Sequence, residues 1–273
     1  VKPNFVAMRT WETVIKSGQL ITRTDQVTDV MRRAFHDLRN GRPAPVVVEM
    51  PADVCEETVP DGSLDYTSPV ISRARPARGD VSDAVKAIVD AKNPMIWAGA
   101  GVLSAVATRE LEELAELLDV PVFTTMPGKS AFNERHPLSL GAGSGCTTKA
   151  ALKWLNECDV LLVLGSSLTD SPYAQSIPVG KIIIHNVLNV EEINKDVASS
   201  IGLVGDTRVT ILDLIEETKA QAGEEPSDRG VRQKIAAVKG EWLGRWHKYL
   251  TDDATPINPY RLISELNHNL DPD

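Results

Sequence analysis

Residues 93–101 read Asn93-Pro94-Met95-Ile96-Trp97-Ala98-Gly99-Ala100-Gly101. An unbroken apolar run that ends on two spaced glycines is the pattern of a strand buried on both faces and turning at once into a helix. The same alternation continues downstream. An amphipathic helix is expected over Ala105 to Leu118, a strand over Val120 to Thr124, and a helix over Lys149 to Glu157. Strands follow at Val160 to Leu164, Lys181 to His185 and Ile201 to Val204, then a helix over Thr207 to Ala220. A helix over Val81 to Ala91 precedes the first strand. Parallel strands need helical crossovers, so the expected fold is α/β, a doubly wound parallel sheet of Rossmann-like form, occupying residues 80–220.

Outward from this core the pattern loosens. Thr24 to Leu38 has helical spacing behind Thr24 as cap, and Pro45 to Pro51 reads as a short buried strand closed by proline. Residues 1–54 therefore form a partial α/β segment, and the proline-rich, acidic residues 55–79 a linker. Beyond the core, residues 221–273 hold a loop, a long helix from Val231 to Leu250 and a capped amphipathic helix from Asn258 to Leu270.

Composition excludes several classes of function. With 38 acidic against 29 basic residues, the net charge is -9, and no basic stripe exists to neutralise a phosphate backbone, so no nucleic-acid partner is expected. Cys55, Cys146 and Cys158 form no CxxC pair, which argues against a zinc site or disulfide framework and for a reducing cytoplasm. No apolar run approaches the roughly 20 residues of a membrane span. The sequence opens on Val1 without Met and closes soon after a helical pattern, and both ends are read as cuts in a longer chain.

In an open α/β sheet, ligands sit beyond the carboxyl ends of the strands. The loops there contain Gly99, Gly101, Thr125, Gly165, Ser166, Ser167 and Asn189, which are expected to line one crevice and to meet a nucleotide phosphate with main-chain N–H groups and hydroxyls. The plain alternative is that glycine here only permits tight turns, since Gly99 and Gly101 lack the third glycine of the dinucleotide fingerprint. His36 and His185 are read as structural or solvent-facing, and Asp170 and Asp206 as helix caps. Neither a paired-acid constellation nor a P-loop, GxSxG or HExxH motif occurs.

Several segments, in order, resemble the acetolactate synthase-like thiamine-diphosphate-dependent enzymes. Gly41-Arg42-Pro43-Ala44-Pro45-Val46-Val47-Val48-Glu49-Met50-Pro51-Ala52-Asp53-Val54 resembles the close of their pyrimidine-binding domain. Asn93 to Val102, Asp119 to Phe132 with His136-Pro137-Leu138, and Cys158 to Gly165 are similar to three segments of their central domain. Ile257 to Tyr260 and Leu266 resemble the approach to the diphosphate-binding domain.

The resemblance implies a parent enzyme that uses thiamine diphosphate and Mg2+ on a 2-oxo acid, as a lyase or transferase, in a homodimer or homotetramer. It also implies that the activating glutamate and the GDG…NN metal motif lie outside these residues. The chain alone would then be inactive and would need no cofactor. Flavin-containing members carry arginines after the third strand and an acidic DID after the fourth. Here those loops read Gly165-Ser166-Ser167-Leu168-Thr169-Asp170-Ser171 and Asn186-Val187-Leu188-Asn189, so ADP or an empty crevice is expected ahead of FAD. The competing expectation is an autonomous nucleotide-binding regulatory module.

Overall fold

The structure is a computed structural model, and it describes residues 7–59, 61–62, 64–69 and 72–271. The chain divides into two compact units, Val1–Ser72 and Arg73–Asp273.

The smaller unit contains α1 (Ala7–Trp11), β1 (Ser17–Leu20), α2 (Val27–Arg39), β2 (Val46–Glu49) and α3 (Ala52–Cys55). β1 and β2 pair in parallel, with Gly18 facing Val47. Its core is Ile21, Val30 and Val54, with Val27 and Val48 packed against it. Two expectations are corrected here. Thr24 does not cap the helix: Thr24–Gln26 form a separate 3-10 turn, and the Gln26 amide oxygen accepts the Thr22 N–H at 3.1 Å. The strand at Val46–Glu49 is half-buried along its length, because it has β1 alone as a neighbour among the described residues.

The larger unit begins with α4 (Arg78–Asp90), β3 (Pro94–Ala98), α5 (Ala100–Ser104), α6 (Thr108–Leu118), β4 (Val122–Thr125) and β5 (Ser139–Gly143). It continues with α7 (Lys149–Glu157), β6 (Val160–Leu164), β7 (Ile182–Val187), β8 (Ile201–Val204), α8 (Thr207–Ala222), α9 (Val231–Leu250) and α10 (Pro259–Asn269). The six strands are all parallel in the order β5-β4-β3-β6-β7-β8, the doubly wound sheet that the apolar runs predict. β3 and β6 are buried at every residue, as strands with neighbours on both sides and helices on both faces must be. β5 has no counterpart in the apolar pattern. It is an edge strand reading SLGAG, whose Gly141 has φ +86°, so periodicity does not reveal it.

Side chains close the helix ends of this unit. Asp206 caps α8, accepting the N–H groups of Arg208 and Val209 at 3.1 Å, as the sequence suggests. Asp170 caps nothing: its residue lies in an irregular loop, and its N–H donates to the Asp196 carboxylate at 3.2 Å. Asp119 ends α6 in the left-handed conformation at φ 47° and accepts the N–H groups of Arg229 and, at the start of α9, Val231. In return the Arg229 guanidinium donates to the carbonyls of Ile88, Val89 and Ala91 at the end of α4 and of Leu118 at the end of α6. Each partner thus satisfies backbone groups that a helix end leaves open, and the cation sits where the helix dipoles are negative.

Candidate functional site

The chain builds β3, β4 and β5 outward in one direction, then returns to place β6 on the other side of β3. β3 leads on to β4 on one side of it and β6 to β7 on the other, so the β3-β6 boundary is the switch point where a nucleotide fold would take a ligand. Ala98, the last residue of β3, faces Leu164 of β6 and Thr124 of β4.

Gly99, Gly101, Gly165 and Ser166 meet here, backbone against backbone. The Gly99 N–H donates to Leu164 O at 2.9 Å and the Gly101 N–H to Gly165 O at 2.8 Å. A β-carbon on Gly99 would lie 2.4 Å from Gly165 O, and one on Gly101 2.6 Å from Gly165 Cα. Gly165 has φ +62°, and a β-carbon there would lie 2.7 Å from Gly101 Cα. Gly128 joins them from the β4 loop, since its β-carbon would come within 2.8 Å of Ala98 O and Gly99 C. Gly128 is the residue that a search for exposed phosphate donors passes over; its signal was its place in a Thr-Thr-Met-Pro-Gly turn.

The other expected residues bond within their own loops. Thr125 Oγ1 accepts the Gly128 N–H at 3.1 Å, and the Ser167 and Thr169 hydroxyls lie 2.9 Å apart. Asn189 O accepts the Glu192 N–H at 3.1 Å across a 3-10 turn.

Two polar residues of β7 brace this edge from inside. His185 is 1% exposed, with Nε2 2.7 Å from Ser166 O and Nδ1 3.1 Å from the Ser199 hydroxyl. A carbonyl can only accept, so Nε2 carries the proton. Burial pushes the imidazole pKa down against the pull of the Ser166 carbonyl, which keeps the ring neutral and structural. Asn186, read from sequence as a loop residue, is fully buried inside β7. Its Nδ2 donates toward Leu203 O, Gly205 O and Thr210 Oγ1, while its buried Oδ1 has no hydrogen-bond partner among the described residues.

Residues 81–214 match the family described as "Thiamine pyrophosphate enzyme, central domain". The chain carries that central domain. It is 30% identical to a "Probable acetolactate synthase large subunit" of Methanococcus aeolicus over 93% of this chain and 44% of the relative. It is 32% identical to an "Acetolactate synthase large subunit" of Corynebacterium glutamicum over 95% of this chain and 42% of the relative. Benzoylformate decarboxylase from Polynucleobacter necessarius shares the fold at a TM-score of 0.72 and 20% identity, over 95% of this chain and 46% of that one. The chain thus spans less than half the length of the relatives it matches.

Among the described residues no three His, Cys, Asp or Glu side chains converge where they could hold a metal ion. The described residues therefore do not fit the Mg2+ of the family's cofactor. No described helix is long and apolar enough to cross a membrane.

Proposed function

We propose that these residues are the non-catalytic centre of a longer, acetolactate synthase-like enzyme, a lyase or transferase that uses thiamine diphosphate and Mg2+. The substrate class is a 2-oxo acid, joined to a second carbonyl compound or decarboxylated. In this reading the central domain spaces two cofactor-holding domains and contributes subunit surface in a homo-oligomer, and the active centre is made by residues outside these 273. The observation that carries the reading is the alignment of large-subunit relatives along 93% of this chain and less than half of their own length. The convergence of matched segments on the six-stranded sheet supports it, since residues 81–214 run from the start of α4 into α8. A free-standing regulatory module finds no comparable support.

The test is to express the whole reading frame beside the 273-residue chain and to measure CO2 release and carbon–carbon bond formation from pyruvate with thiamine diphosphate and Mg2+. Activity is expected of the long protein alone. Mg2+-dependent binding of thiamine diphosphate by the 273-residue chain in a calorimeter would sink the proposal.

A further inference from the structure

A sheet of this strand order receives a phosphate-bearing ligand on N–H groups that glycine leaves open at the switch point. Here those groups are already used. Gly101 donates to Gly165 O at 2.8 Å and Gly99 to Leu164 O at 2.9 Å, so an incoming phosphate oxygen would have to displace two backbone hydrogen bonds. The glycines themselves are packed against the facing backbone: a single β-carbon on Gly99, Gly101 or Gly165 would stand 2.4–2.7 Å from it. Charge gives no compensation, since Gly165 to Ser171 contains no Arg or Lys. The helix that follows Gly99, α5, has five residues and so a small dipole.

We propose that the switch-point crevice is sealed by the chain's own backbone and takes no adenine nucleotide. The glycines that would cradle a phosphate instead fasten the β5-β4-β3 half of the sheet to the β6-β7-β8 half. His185 belongs to the same fastening, because it holds the Ser166 carbonyl from beneath. This inference concerns the family's nucleotide seat and stands whether or not the parent acts on a 2-oxo acid.

The sign of one substitution separates a seal from an open seat. Gly101 lies in α5 and is absent from the positive-φ glycines, so its backbone accepts alanine, and in open space Gly101→Ala would raise stability through helix propensity. Against a filled contact the same change must push the β6 loop away. The ligand-free protein carrying Gly101→Ala is expected to melt at least about 4 °C lower than the unaltered chain. Gly240→Ala and Gly244→Ala on α9, where an added β-carbon meets nothing within 4 Å, should raise the melting temperature slightly. The unaltered chain, titrated with ADP and with FAD to about 1 mM, is expected to give no binding heat and no thermal shift, and to purify colourless. A higher melting temperature for Gly101→Ala, or stoichiometric ADP or FAD binding with Kd below about 100 µM, overturns the proposal. The titration needs no variant, so it decides even if Gly101→Ala fails to fold.

Discussion

In the six-stranded sheet, β6 lies between β3 and β7 and all five of its residues are buried; in the two-stranded sheet, β2 faces β1 and all four of its residues are half-buried. Both strands are short apolar runs, VVVE in β2 and VLLVL in β6, both are parallel, and both follow a helix. What separates them is the number of neighbours. A strand with partners on both edges and helices on both faces loses nearly all contact with water, and each large side chain there contributes about 1.5–3 kcal/mol of burial. A strand with one partner keeps much of its apolar surface wet. Leu20, Phe35 and Met50 of the smaller unit stay 42–49% exposed, whereas Ile96, Leu161 and Val163 of the larger sheet are fully buried.

The strongest way to break this contrast is a matched pair of truncations. Ile96→Ala in β3 should cost about 2–5 kcal/mol, while Val48→Ala in β2 should cost less than about 1 kcal/mol. Equal losses in denaturant melts would show that the two sheets are packed alike. A second experiment asks whether burial is the whole advantage of the larger unit. Arg229→Ala removes the cation that meets four carbonyls at the ends of α4 and α6, and should cost about 2–3 kcal/mol. Arg229→Lys should recover less than half, because one ammonium cannot span the carbonyls that a planar fork reaches.

A smaller effect depends on pH. Burial raises the Asp159 pKa, but the N–H groups of Lys92 and Asn93, at 2.8 and 2.9 Å, outweigh it and hold the carboxyl below its ordinary value. A carboxyl depressed in the folded state stabilises fully above its unfolded pKa of about 3.9, and that contribution is lost as pH falls through the folded pKa. The larger unit should therefore lose stability on acidification below about pH 4, and Asp159→Asn should flatten that part of the curve. Melting at a series of pH values reads this directly; an unchanged profile in the variant would assign the acid loss to other carboxylates. The smallest effect tests a local flaw in the well-packed unit. Val106, 71% exposed, is a β-branched residue at φ 55°, a region that valine seldom occupies. Val106→Asn should raise stability by about 0.5–1 kcal/mol, visible as a rise in melting temperature.

Most of the larger unit was legible because its strands are continuous apolar runs, and these can settle only between layers of helix. β5 was not, since Ser139-Leu140-Gly141-Ala142-Gly143 holds one large apolar residue, and Gly143 is needed where a β-carbon would come 2.5 Å from Thr147 Oγ1. β2 was legible as a strand but not in its burial, which depends on neighbours that local pattern does not encode. The same limit applies to the candidate site. Gly99, Gly101 and Gly165 announce in sequence that something approaches the backbone closely, and only the fold reveals that the visitor is another stretch of the same backbone. Asn186 was illegible for a related reason: its three acceptors come from β8, the loop behind it and α8, all later in the chain.

Strand order also shapes the route by which the chain assembles. β4 and β5, or β7 and β8, can meet across a short intervening segment, but Ile96 and Leu162 become neighbours only after three helices and two strands have been threaded between them. Closing that long loop costs more chain entropy than any other pairing in the sheet, so the middle of the finished sheet is the seam expected to zip last. Two half-sheets would form early, each with one raw edge, and while β3 and β6 remain apart those edges are open to the wrong partner. The speed with which they find each other then governs how much of the newly made protein escapes aggregation.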